Sequence, residues 1–320
     1  MNHSPTVLEI SLSAVDHNFN YFKSQIPEST KMLAVVKASG YGSDAVTVAR
    51  HLERAGVDYF AVAYVDEGRA LREAGVITPI LVLHPQFQNL ELMQAHDLEP
   101  NLYSMNLFKE FIRIARDQGL SNYPVHLKFN TGLNRLGFRK ESLKSIGELL
   151  KKEKSIHVKS IFSHLVASED PNQRDFTLGQ IREFVTISSG FEELMGYMPI
   201  RHMTNTSGIL NYPEAHFEMV RTGLGIYGFA NDPGLDAKLY NVLSLKSVIS
   251  QVHAIQPGET VGYNMGFKAE MPLRSATIPI GHADGIFRSL GQGRISVKIN
   301  GEKVPVIGNI CMDMIMANVS

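Results

Sequence analysis

A chain of 320 residues, 44 % hydrophobic and 20 % charged, with Lys+Arg 31 against Asp+Glu 32, suits one α/β barrel plus a smaller unit and carries no field of one sign, which argues against nucleic acid as a partner. The start, MNHSPTVLEISLSAVDHNF, has no cationic segment leading into an apolar run, and no stretch of roughly eighteen apolar residues follows, so a cytoplasmic chain without a membrane partner is expected. The one cysteine, Cys311, excludes an internal disulfide and any multi-thiolate zinc site, and no metal is expected.

Short apolar, β-branched runs occur at 32–36, 58–63, 79–83, 98–102, 125–129, 158–163, 200–204 and 218–221. Between them lie segments with apolar residues at helical spacing, such as 42–55, 104–119 and 173–196. Alternating strand and helix implies parallel strands joined by right-handed crossovers, and eight such units make a (β/α)8 barrel. The tract 229–238, FANDPGLDAK, reads as a linker. Beyond it come closely spaced strand-like runs at 242–255, 274–280, 294–299 and 303–307, with Asn300-Gly301 as a tight hairpin turn between the last two. The expected division is a barrel over 1–238 and a β-rich domain over 239–320, with residues 1–10 available to pair with the latter. The closing CMDMIMANVS is still strand-like, so the β domain is expected to be cut short.

Catalytic groups of a barrel belong at the C-terminal ends of its strands, and Lys37, His84, Lys128, His164, Asn205 and Arg221 fall there by position. A lysine desolvated at a strand end has a lowered pKa and is suited to Schiff-base chemistry, although a snorkelling or ion-paired lysine has the same signature. The segment Arg221-Thr-Gly223-Leu224-Gly225-Ile-Tyr227-Gly228 allows backbone N–H groups close to an anion, and Asn205-Thr206-Ser207-Gly208 adds hydroxyls on the same rim. Each alone is ordinary turn chemistry. A lysine after the first strand combined with such loops after the seventh and eighth suggests pyridoxal phosphate held at both ends.

AVVKASGYG (34–42), HLKFNTGLNRLGF (126–138), TNTSG (204–208), RTGLGIYG (221–228), GETVGYNMG (258–266), PIGHADG (279–285) and IGNICMD (307–313) resemble, in this order, the signature segments of the alanine racemase family. The resemblance implies a homodimeric, pyridoxal phosphate-dependent isomerase that interconverts L- and D-alanine for peptidoglycan. It implies Lys37 as the lysine that holds the cofactor. Tyr41 is implied as a phosphate contact, with Thr206, Gly223, Leu224 and the neighbourhood of Tyr227 as the rest of the phosphate cradle and Asn205 also among the cofactor-binding residues, and Arg221 faces the pyridine nitrogen with His164 bridging to it. Arg135 is implied to bind the substrate carboxylate, Lys128 to be a carbamylated lysine that orients Arg135, and the backbone amide of Met312 to reach the substrate from the partner subunit. Racemisation needs acid/base groups on both faces of the α-carbon, and Lys37 and Tyr263, the latter from the partner subunit, are implied for the two.

His282 stands where the family usually has tyrosine at the site entrance, Asn130 replaces an aspartate and Asn309 an arginine. The family pattern also continues past the CMD segment with a late tyrosine on the phosphate, a piece expected to be missing here. A racemase of broader amino-acid range, a non-catalytic cofactor carrier and an inactive fragment therefore remain as alternatives. Decarboxylases of the same barrel are disfavoured by Arg221, where they are expected to carry a carboxylate.

Overall fold

The structure is a computed structural model and describes residues 4–320. The chain divides into two compact units, one formed by Ile10–Val242, the other by the segment ending at Glu9 together with Leu243–Ser320. Val7–Ile10 (β1) pairs with a strand of the second unit described below.

The larger unit is built on Lys31–Val35 (β2), Tyr59–Val62 (β3), Ile80–Val82 (β4), Glu99–Leu102 (β5), Tyr123–Lys128 (β6), Ile156–Phe162 (β7), Ile200–His202 (β8) and Met219–Thr222 (β9). They join in the order β8-β7-β6-β5-β4-β3-β2-β9, every pair parallel, with Leu33 opposite Arg221 where the last strand returns to the first. The two edges of that order, β8 and β9, pack against one another, so the sheet wraps into the expected eight-stranded barrel. All eight apolar runs became strands because parallel strands are buried on both faces and read as nearly continuous apolar stretches.

The helices between them form where the helical spacing lies. Asp44 caps Ala45–Arg54 by accepting the Thr47 N–H at 2.7 Å, and Ser104 caps Met105–Asp117 through Leu107 N–H. The long helix Arg174–Met195 ends on Gly196 at φ 76°, a left-handed position open to glycine. Residues 229–238 lie within the barrel unit, with one helical turn at Pro233–Asp236 capped by Asp232.

Inside the barrel Leu33, Val35, Tyr59, Ala61, Leu81 and Met219 form one apolar cluster, and the strand positions above it carry the polar groups of the site. Gly225 lies against the helix Leu12–Lys23: a Cβ there meets the Phe22 ring and sits 2.8 Å from Thr206 Cγ2. Gly225→Ala is therefore expected to cost about 1–3 kcal/mol by overpacking, read as a lower midpoint in denaturant unfolding.

The smaller unit holds Leu243–Lys246 (β10), Gln251–Ile255 (β11), Thr260–Val261 (β12), Phe267–Lys268 (β13), Leu273–Ile278 (β14), Ser296–Ile299 (β15), Glu302–Ile307 (β16) and Ile315–Asn318 (β17). Five of these make an antiparallel sheet in the order β11-β14-β17-β16-β15, while β10 pairs with β1 and β12 with β13. Asn300 and Gly301 take φ 49° and 93° in the two-residue turn between β15 and β16, the left-handed pair that such a turn demands. The run expected at 242–255 is two strands rather than one. It breaks between Lys246 and Gln251 because its halves serve different sheets, and Val248 and Ile249 are left exposed at the break.

Candidate active site

Above the apolar cluster, the C-terminal ends of the strands enclose a cavity of about 520 Å³. Lys37, Tyr41, Lys128, Arg135, His164, Asn205, Thr206, Arg221, Gly223 and Leu224 all line it, as do His84 and Ser207. The barrel residues singled out in the sequence thus meet in one place. Tyr263 and Met312 belong to the smaller unit, where both are exposed, at 68 % and 64 %.

Lys37 follows β2 and opens a turn of unusual hand. Ala38, Ser39, Gly40 and Tyr41 all lie in the left-handed region, at φ 53°, 53°, 65° and 57°. Three of the four carry a Cβ, so the turn stores about 1–2 kcal/mol for each of them. Glu67, at the start of the helix Val65–Glu73, helps hold it. One carboxylate oxygen accepts Ala38 N–H at 2.6 Å, the other accepts Ala63 N–H at 2.6 Å, and so the turn after β2 is pinned to the loop after β3. The same strain sets where Tyr41 goes: its hydroxyl lies over Gly223, where a Cβ has no room. Sequence reading missed Glu67, which looks like any acid in a first helical turn.

Electrostatically the cavity is a cation trap for an anion. Lys37, Lys128, Arg135 and Arg221 line it and no carboxylate does. Burial first, then the Arg135 charge, lowers the Lys37 ammonium below its ordinary value, while Glu67 opposes the shift. Lys128 is pushed down to about 7 by burial and by Arg221, Arg135 and Lys37 around it. Its Nζ sits 5.8 Å from the Phe162 ring centroid, a cation–π contact that partly replaces lost hydration. Burial and the facing arginine also hold His164 neutral, well below the ordinary histidine value.

Arg221 is 4 % exposed and lowered to about 9, by burial and by Arg135. Its Nη2 donates to Ser163 O at 2.8 Å, to His164 Nδ1 at 3.0 Å and to Met203 O at 3.2 Å, and its Nη1 donates to His202 Nδ1 at 2.6 Å. His164 and Arg221 are thus in direct hydrogen-bond contact. His202 is a residue that sequence reading passed over, although it lies on the strand next to Arg221.

On the opposite rim, the Thr206 hydroxyl accepts the N–H groups of Gly223 and Gly225 at 3.4 and 3.2 Å, tying the loop after β8 to the glycine loop after β9. Asn205 caps the turn Thr206–Asn211 by accepting Gly208 N–H at 2.9 Å. Asn130, one of the departures, builds its own turn by accepting from Gly132 and Asn134 N–H. In the smaller unit Asn309 donates from Nδ2 to the Tyr263 carbonyl at 2.8 Å, and His282 lies exposed in a short turn. The amide N–H of Met312 donates to no atom among the described residues, while its carbonyl accepts from Ala283 at 2.9 Å. Burial raises the Cys311 thiol, which suits packing rather than nucleophilic attack.

Residues 10–231 match the family model described as alanine racemase, N-terminal domain, and residues 242–320 match alanine racemase, C-terminal domain. "Alanine racemase 1" of Oceanobacillus iheyensis is 33 % identical over 321 residues, 98 % of this chain and 84 % of that protein. Among solved structures, alanine racemase of Clostridium difficile 630 superposes with TM-score 0.93 at 32 % identity, covering 100 % of this chain and 84 % of the other. The alanine racemase of Bartonella henselae with covalently bound pyridoxal phosphate superposes with TM-score 0.86 at 25 % identity, over 99 % of this chain and 86 % of that one. With a (β/α)8 barrel, a β-rich second unit and one cation-lined cavity at the strand ends, this chain belongs to the alanine racemase family.

Proposed function

We propose that this alanine racemase moves the α-proton of alanine between Lys37 on one face of pyridoxal phosphate and Tyr263, from a second copy of the chain, on the other. The observation that carries this reading is the single cavity in which Lys37, four cationic groups in all, and the loop around Gly223 converge without a carboxylate. The residues fit the cofactor: an anionic group finds the Tyr41, Thr206 and Ser207 hydroxyls beside the Gly223 loop, and at the far wall Arg221 offers only donors. Bound there, pyridoxal phosphate supplies an electron-withdrawing ring that lowers the cost of removing the α-proton.

Each residue then has a task its chemistry suits. Lys37, whose ammonium is lowered by burial and by Arg135, gives up its proton more readily than an unshifted lysine and so suits taking and returning one. Arg135 presents a planar fork to the substrate carboxylate, which favours amino acids over amines. Arg221, lowered only to about 9, has no proton to give readily at neutral pH, so a ring nitrogen held against it would stay unprotonated and the ring a modest electron sink, which favours racemisation over side reactions. The product supplies D-alanine for peptidoglycan, and the enzyme works in the cytoplasm. Formation of D-alanine from L-alanine by the purified chain with pyridoxal phosphate, followed by chiral chromatography, is the direct test. Turnover of bulkier amino acids at a comparable rate supports the broader-range alternative instead.

Two finer assignments have their own checks. In the smaller unit Tyr263, Met265, Phe287 and Met312 are exposed at 68, 71, 71 and 64 %, large apolar side chains of the kind a second copy covers. Sedimentation of the pure chain is expected to give a dimer, and a monomer at all concentrations overturns the shared site. Lys128, at about 7, carries a substantial fraction of neutral amine at neutral pH. That nitrogen can bond the carbon of CO2 with loss of a proton to solvent, leaving an anion beside Arg135 and Arg221 that offsets the crowding of cations. A carbamate carbon signal from labelled bicarbonate, absent in Lys128→Gln, is the expected result.

A further inference from the structure

Five neighbouring barrel strands each contribute one polar side chain to a single row across the interior: Arg221 on β9, His202 on β8, Ser160 on β7, His126 on β6 and Glu99 on β5. The links measure 2.6 Å from Arg221 Nη1 to His202 Nδ1, 2.9 Å from His202 Nε2 to Ser160 Oγ, 2.5 Å from Ser160 Oγ to His126 Nδ1 and 2.6 Å from His126 Nε2 to Glu99 Oε2. His202, Ser160 and His126 are fully buried, and the Glu99 side chain is 12 % exposed. Phe162 stacks on His202 at 4.6 Å and 6° and lies 5.4 Å from Arg221, walling the row on one side.

The ends of this row leave the middle no choice. A guanidinium only donates and a carboxylate only accepts. Arg221 therefore donates to His202 Nδ1. Burial and the Arg221 charge keep His202 neutral, so its one hydrogen is on Nε2 and goes to Ser160 Oγ. The Ser160 hydroxyl hydrogen has no acceptor other than His126 Nδ1 among the described residues, which places the His126 hydrogen on Nε2, aimed at Glu99. Reversing any one link sets two hydrogens face to face at another. A doubly protonated His126 strands the serine hydrogen instead, in a fully buried site where an unmade bond is costly.

We propose that the row is polarised in one direction, every hydrogen pointing from Arg221 toward Glu99, and that Glu99 is a positioning residue that sets the charge and orientation of Arg221 from the far side of the barrel. The observation behind it is that Arg221 otherwise donates only to neutral acceptors, two carbonyls and His164, while Arg135 repels it. A buried cation without a carboxylate in contact needs compensation, and hydrogen-bonded groups that polarise one another deliver that of Glu99. Burial pushes the Glu99 carboxyl up, while hydrogen bonds led by that from His126, 2.6 Å away, and the Lys159 charge pull it down. Through the row, Arg221 is kept a donor toward the wall of the cavity where the cofactor ring is placed above. The assignment of a task to the row rests on that placement; its polarity does not.

The polarity is read by ¹⁵N NMR of histidine-labelled chain without cofactor at neutral pH. Both His126 and His202 are expected as neutral rings with the hydrogen on Nε2. A doubly protonated His126, or a hydrogen on His202 Nδ1, overturns the proposal. The task is read with Glu99→Gln, which keeps an acceptor oxygen and removes the charge, and with Ser160→Ala, which cuts the row in the middle. Each is expected to lower kcat for racemisation about tenfold while KM for alanine stays within about twofold, and to shift the visible band of the cofactor-loaded enzyme. Unchanged kcat and band in both variants, with only a lower Tm, mark the row as structural and refute the task. A parent enzyme whose visible band does not depend on Lys37 overturns the cofactor placement, and the task with it, while the NMR result still decides the polarity.

Discussion

Lys37→Ala is expected to lower racemisation by roughly 10⁴-fold or more, because one change removes both the amine that holds the cofactor and a proton-transfer group. Its neighbours offer no substitute. Lys128 lines the same cavity and has a neutral amine available, but it stands at the end of β6, beside Arg221 and Arg135, while Lys37 opens the left-handed turn after β2. The strain held in that turn, with Glu67 gripping Ala38 N–H, is a cost the fold bears to aim one amine. Two measurements check this. The visible absorption that develops with pyridoxal phosphate is expected to change form in the variant, and small primary amines such as methylamine are expected to restore part of the activity. A variant that keeps more than about a tenth of the parent rate would falsify the assignment of Lys37.

Tyr263→Phe carries the second large effect, roughly 10³-fold on racemisation in both directions, since equilibrium ties the two directions together. The informative readout is one-sided. With two groups on opposite faces, removal of the phenol stops exchange of the α-hydrogen with deuterated water for one enantiomer of alanine and leaves it for the other, where Lys37 still acts. Equal loss for both enantiomers means that a single group serves both faces and sinks the two-sided reading. The Tyr263 turn is held from within its own unit by Asn309, whose Nδ2 donates to the tyrosine carbonyl, so the phenylalanine variant keeps the backbone in place. The change then falls on one oxygen.

The amino-acid order alone determined the eight barrel strands, the hairpin at Asn300-Gly301 and the positions at which Lys37, Lys128, His164 and Arg221 would stand. These are legible for local reasons: parallel strands buried on both faces read as apolar runs, paired left-handed turn residues announce a hairpin, and polar residues just past a barrel strand can only face its open end. Period-two counting inward from Lys128 also reaches His126, a signal present in the sequence and not used. Tertiary structure alone decided the rest. KASGYG reads as a glycine-broken turn, yet it runs left-handed through three residues that are not glycine, because Glu67 from another element meets its first N–H. The run 242–255 looks like one strand and is two, because its halves find partners 230 or more residues before and some 20 residues after them in the chain, which no local pattern encodes. Glu99, His126, Ser160 and His202 are scattered over more than a hundred positions and look like isolated polar interruptions. Only closure of the barrel sets them side by side, where each hydrogen has one place to go.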